Sequence, residues 1–173
     1  DYYASRGLGD VYKRQELDRP AVLEDLRQAL YASKICAYAQ GFNLLEEAGK
    51  VYGWDLQMGR IAKIWRSGCI IRARFLDTVS EIFEKESSMT NLLASGYFSQ
   101  VLYGARAGWG RIISLAVERG AAVPALSSAL AYFDSYRTAR GSANLLQAQR
   151  DCFGAHTYER IDKEGAFHTD WMN

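Results

Sequence analysis

Across residues 16–151 of this 173-residue chain, apolar residues recur at three- and four-residue steps, and no stretch alternates apolar and polar long enough to make a strand. That period gathers apolar side chains on helix faces and leaves a sheet nothing to bury. In the first run Val22, Leu23, Leu26, Leu30, Ile35, Tyr38, Phe42 and Leu45 predict one long, largely buried helix. Asp18, with Pro20 in the first turn, marks its start, and Gly53 its stop. A glycine inside a helix costs about 1 kcal/mol relative to alanine. Gly41 therefore predicts close packing, with Ala32, Ala37 and Ala39 beside it, or else a break.

Further helices are predicted over 56–65, 69–85, 91–93, 98–119, 125–140 and 143–151. The third of the run, 69–85, takes Ile70, Ile71, Phe75, Leu76, Val79 and Phe83 as its core face. "RGAAVP" is a connection, because the residue before Pro124 is pushed out of the helical region. Beyond Gly154 the period fades. The expected fold is all-α, with about six or seven helices over 16–151 and an irregular C-terminal tail over 152–173. Residues 1–15, "DYYASRGLGDVYKRQ", carry no period and are expected to be a leader outside the fold.

A net charge of +1 provides no electrostatic basis for binding nucleic acid, which rests on neutralising many phosphates. No apolar run reaches the roughly 18–20 residues of a membrane span, and the N-terminus lacks the apolar segment of a signal peptide. Cys36, Cys69 and Cys152 are odd in number and widely spaced, which predicts buried free thiols in a reducing, cytoplasmic compartment. No cysteine or histidine spacing fits a zinc site, so no metal is expected.

The chain has no GxGxxG after a strand, no phosphate loop, no HExxH and no GxSxG. "GARAGWG" at 104–110 lies within a helical stretch, and Glu46, Glu47, Asp55 and Glu81 read as solvated helix faces. Tyr31, Tyr38, Tyr132 and Tyr136 suit a helical core or hydroxyls at helix crossings, and Arg66, Arg72 and Arg74 suit structural pairing with carboxylates. No catalytic residue emerges. The tail differs: both histidines, His156 and His168, fall within "LLQAQRDCFGAHTYERIDKEGAFHTDW", residues 145–171. Arg150 offers a planar fork for phosphate or carboxylate, imidazole adds a donor, and Gly154 would let His156 turn back toward it. From spacing alone two readings stand: an anion site built by Arg150 and His156, or a surface arginine beside a structural histidine.

"ANLLQAQRDCFGAHTYER" and "DKEGAFHTDW" resemble the C-terminal signature of 6-phosphogluconate dehydrogenase, the decarboxylating enzyme of the pentose phosphate pathway. "ALYASKICAYAQGFNLL", "YGWDLQMGRIAKIWRSGCIIRARFL" and "VPALSSALAYFDSYR" resemble that family's helical domain in the same order. The resemblance implies an NADP-dependent homodimer that oxidises and decarboxylates 6-phosphogluconate to ribulose 5-phosphate. It also implies a tail that reaches the partner subunit, where the residues matching Arg150 and His156 hold the substrate phosphate. His168, in "FHTDW", is expected to dock the tail together with Trp171. The family's NADP fingerprint, general-base lysine and proton-donating glutamate match no residue here, so none is carried over. Cys152 stands where the family usually has tyrosine, and Gly141–Ser142 where leucine–proline is common. The alternatives are a stand-alone helical dimerisation module, favoured by the missing cofactor domain, and another β-hydroxyacid dehydrogenase, such as one acting on 3-hydroxyisobutyrate, disfavoured by this tail.

Overall fold

The computed structural model describes residues 17–66, 69–86 and 89–172; the expected leader lies outside them. Six α-helices follow in order: α1 Arg19–Tyr52, α2 Met58–Arg66, α3 Leu76–Lys85, α4 Gly96–Glu118, α5 Pro124–Tyr136 and α6 Ala143–Gly154. A 3-10 turn, Leu92–Ala94, precedes α4, and a short antiparallel pair, β1 Tyr158–Glu159 and β2 Ala166–Phe167, closes the chain. The fold is all-α, with this small ladder in place of a wholly irregular tail. It divides into two compact units, one up to Tyr132 and one from Phe133 onward.

The first unit is built on α1 against α4 and on α2 against α3. Asp18 caps α1 by accepting from Ala21 N at 3.3 Å, and Gly53 ends it in the left-handed region at φ 69°. The helix runs unbroken through Gly41, where an added Cβ would meet nothing within 4 Å. Close approach occurs instead at Gly49, whose Cβ would lie 3.2 Å from the Trp54 carbonyl oxygen. Ala29, Ala32, Ile35, Cys36, Ala39 and Phe42 form its buried face, and Leu102, Ala105, Trp109 and Ile112 are buried on α4; Phe42 meets Trp65 and Phe83, at ring distances of 5.0 and 5.3 Å. Leu23 and Leu30, expected in that face, are exposed. Trp109 is fully enclosed and donates Nε1–H to the Leu126 carbonyl at 3.1 Å, so its one polar atom is satisfied. Gly108 lets α4 approach Asp25, which receives a two-pronged ion pair from Arg111 at 2.6 and 2.7 Å.

α3 begins later than the apolar spacing predicts. Residues 69–75 form turns, closed by Arg72 N to Cys69 O at 3.1 Å and Leu76 N to Ala73 O at 3.1 Å. These turns drop Phe75 into the core, edge-on to Tyr38 at 4.9 Å and to Phe98 at 6.0 Å. Tyr38 also donates its hydroxyl to the Ile71 carbonyl. Ile70 and Ile71 consequently point outward, and neither belongs to the core. Arg66 pairs with Asp77 at 2.8 Å, Lys63 with Glu84 at 2.5 Å, and Glu46 and Glu47 both with Lys50. Of the cysteines only Cys36 is buried, and burial pushes its thiol up to about 12. Cys69 is half-buried and Cys152 exposed, contrary to expectation. Cys152 follows the buried Asp151 and sits about 100° further round α6, on the open side.

Candidate functional site

The candidate site lies in the second unit, in α6 and the hairpin that follows it. Between residues 143 and 172 the only buried residue among those described is Asp151, which has no exposed surface. The tail is thus organised around a carboxylate where a larger domain would place an apolar core. A buried carboxylate needs its lone pairs occupied, and here all of them are. Oδ1 accepts from Thr157 N at 3.0 Å and from His168 Nδ1 at 2.9 Å. Oδ2 accepts from Thr169 N at 3.0 Å and from Trp171 Nε1 at 2.9 Å. Burial works to raise the Asp151 carboxyl, but these four hydrogen bonds outweigh it and hold the group well below the usual carboxylate range. The donors lie 6 to 20 residues away along the chain, so one side chain ties both strands and the terminal turn to α6.

α6 ends with Gly154, but the left-handed residue that caps it is Ala155, at φ 48°, with its N–H on the Asp151 carbonyl at 2.9 Å. Gly154 serves another purpose. A Cβ there would come within 2.9 Å of both Cδ2 and Nε2 of His156, so only glycine leaves room for that ring to fold back over the helix end. Phe153 contacts the same ring edge-on at 5.9 Å. Thr157 also has a positive φ, 61°, an unfavourable setting for a β-branched residue that persists only where the surroundings fix it. Arg150 is exposed one turn before the helix end, with Nη1 on Gln147 Oε1 at 3.3 Å. The Gln147 amide nitrogen in turn donates to the Thr157 carbonyl at 2.5 Å.

Arg150, His156 and His168 are all exposed; the first two lie near the same helix terminus, and His168 has its Nδ1 on Asp151, which it shares with Trp171. Asp151 and Gln147 carry no motif-like signal; their role is visible only once the tail folds back. Among the described residues no group of three or more histidine, cysteine or acidic side chains could hold a metal ion. Among the same described residues no helix is long and apolar enough to cross a membrane.

Residues 3–171 match the family described as 6-phosphogluconate dehydrogenase, C-terminal domain. The chain belongs to that family. The match begins within the stretch 1–15 expected to be a leader. The NADP(+)-dependent, decarboxylating 6-phosphogluconate dehydrogenase of Bacillus subtilis is 54% identical over 155 residues, 90% of this chain and 33% of its own. The decarboxylating enzyme 1 of rice, Oryza sativa subsp. japonica, is 50% identical over 164 residues, 95% of this chain and 34% of its own. The solved 6-phosphogluconate dehydrogenase of Plasmodium falciparum, studied with NADP+ and with 6-phosphogluconate, superposes with a TM-score of 0.88 at 37% identity, covering 94% of this chain and 35% of that one. The chain therefore spans about a third of the length of these 6-phosphogluconate dehydrogenases.

Proposed function

We propose that this chain serves an NADP-dependent 6-phosphogluconate dehydrogenase as the helical domain that forms the homodimer and holds the substrate phosphate. Arg150 and His156 are the binding residues. The observation that carries the assignment is the seating of His156: its ring lies over the one residue without a Cβ, between two positive-φ residues that are both hydrogen-bonded to Asp151. An exposed imidazole held this way, six residues beyond an exposed arginine, matches the needs of a phosphate dianion. The guanidinium offers two parallel N–H donors and the imidazole a third from a different direction.

The role is ground-state binding. The phosphate is remote from the carbon that is oxidised, so these two side chains anchor the substrate while the reacting end is handled by groups outside this chain. The described residues contain no strand–glycine loop–helix unit that would seat a dinucleotide, and no residue here is assigned to NADP. Dimer formation is supported by α1, where Leu23, Leu30, Ala37, Leu44 and Val51 recur every seven residues and are all exposed. A seven-residue repeat drifts only about 20° per heptad around a straight helix, so these side chains make one apolar stripe of the kind a second surface covers.

Arg150→Ala in the full-length dehydrogenase tests the assignment. The expected result is a KM for 6-phosphogluconate raised about tenfold or more, with kcat and the KM for NADP little changed. An unchanged KM for 6-phosphogluconate refutes it.

A further inference from the structure

We propose that Asp151, with Gln147 beside it, is a positioning residue for the phosphate clamp, setting the place of His156 and Arg150 without touching substrate. This rests on the clamp reading above and adds to it the residues that make the clamp rigid.

Two of the bonds to Asp151 bracket His156. Its carbonyl takes the N–H of Ala155 at 2.9 Å, and its Oδ1 takes the N–H of Thr157 at 3.0 Å. The residues before and after the imidazole are thus fixed to a single point on α6, and both carry left-handed backbone that would relax if released. Gln147 completes the arrangement from one turn earlier. Its amide oxygen receives Arg150 Nη1 at 3.3 Å, and its amide nitrogen holds the Thr157 carbonyl at 2.5 Å. One amide therefore spans from the guanidinium to the loop that carries the imidazole. The remaining partners of Asp151, His168, Thr169 and Trp171, bring the far strand onto the same carboxylate. A side chain that only stabilised the tail could take its donors from anywhere. This one takes a donor from Thr157, next to the residue that reads the ligand, while the main-chain carbonyl of the same residue holds Ala155 on the other side. Clamping geometry held to a fraction of an ångström is what a bidentate site needs, and the supporting groups are what supply it.

The test uses the full-length enzyme, with KM and kcat for 6-phosphogluconate as readouts. Asp151→Asn retains the shape but replaces one acceptor oxygen with an NH2 facing donors. The expected result is a KM raised about tenfold, the change given by losing one charge-assisted hydrogen bond, with kcat within about twofold of the parent. In an Arg150→Ala/His156→Ala background the same change should raise KM no further, because the groups it positions are gone. Should Asp151→Asn fail to fold, Gln147→Leu and Trp171→Phe, which leave the carboxylate in place, carry the test and should each raise KM by a smaller factor. An equal rise in the double-variant background, or an unchanged KM in every folded variant while Arg150→Ala and His156→Ala raise it, overturns the positioning role alone. If Arg150→Ala and His156→Ala also leave KM unchanged, it is the clamp itself that fails.

Discussion

Gly154→Ala separates the two uses a glycine can have at a helix end. Gly154 is helical, so alanine there should gain up to about 1 kcal/mol of helix propensity. Against this, the new Cβ would sit 2.9 Å from Cδ2 and Nε2 of His156, closer than carbon and ring atoms tolerate. The obstacle is the far end of a side chain, so the ring can swing away at a rotamer cost of about 0.5–1.5 kcal/mol. These contributions nearly cancel, and the melting temperature should move by no more than about 2–4 °C in either direction. Binding should respond differently. An imidazole displaced from its seat loses a charge-assisted hydrogen bond to phosphate, worth about 1.5–3 kcal/mol, or roughly 10- to 150-fold in affinity. Calorimetric titration of the full-length enzyme with 6-phosphogluconate, with His156→Ala as the upper limit, measures this directly. A variant that binds as tightly as the parent, while His156→Ala does not, would show that the observed ring position is not the binding one. The reasoning from the Gly154 contact would then be wrong.

Because the folded value of Asp151 lies below the ordinary 3.8, its stabilisation is complete above about pH 4 and drains away as pH falls through the folded value. The amides of Thr157 and Thr169 should lose hydrogen-exchange protection over that acid range before α1 and α4 do, and simultaneous loss would count against a carboxylate-centred tail. Trp109→Ala should cost about 3–5 kcal/mol of stability by urea titration, since it empties a fully enclosed site; a loss below about 1 kcal/mol would mean the site collapses to fill the space. Leu30→Glu with Leu44→Glu should weaken dimerisation of the full-length enzyme at least about tenfold by sedimentation, as two apolar contacts per subunit are lost; an unaffected dimer would place the interface elsewhere. In native protein a thiol reagent should modify Cys152 quickly and Cys36 only on unfolding, since one is exposed and the other buried with a raised thiol.

The helices were legible because their information is local. The period of three to four residues, Asp18 with Pro20, and Gly53 are written within a few positions of where they act, and α1 begins and ends where they indicate. Which side of a helix faces protein was less legible. Leu23 and Leu30 fit the apolar period as well as Ile35 and Phe42, but a period cannot say whether a stripe faces this chain's own core or a surface beyond it. The same limit misplaced Ile70 and Ile71, where the identity of the residue that fills the core, Phe75, was settled by the rings of Tyr38 and Phe98 around it. In the tail, sequence alone singled out Arg150 and His156 by residue type and by resemblance. It could not reveal Asp151 as the centre, because that depends on donors from Thr157, His168, Thr169 and Trp171 converging across as many as 20 intervening steps of chain. Backbone N–H groups carry no signature in a sequence. Only when the hairpin folds back on α6 do they meet one carboxylate, and only then does the contact between Gly154 and the His156 ring become visible.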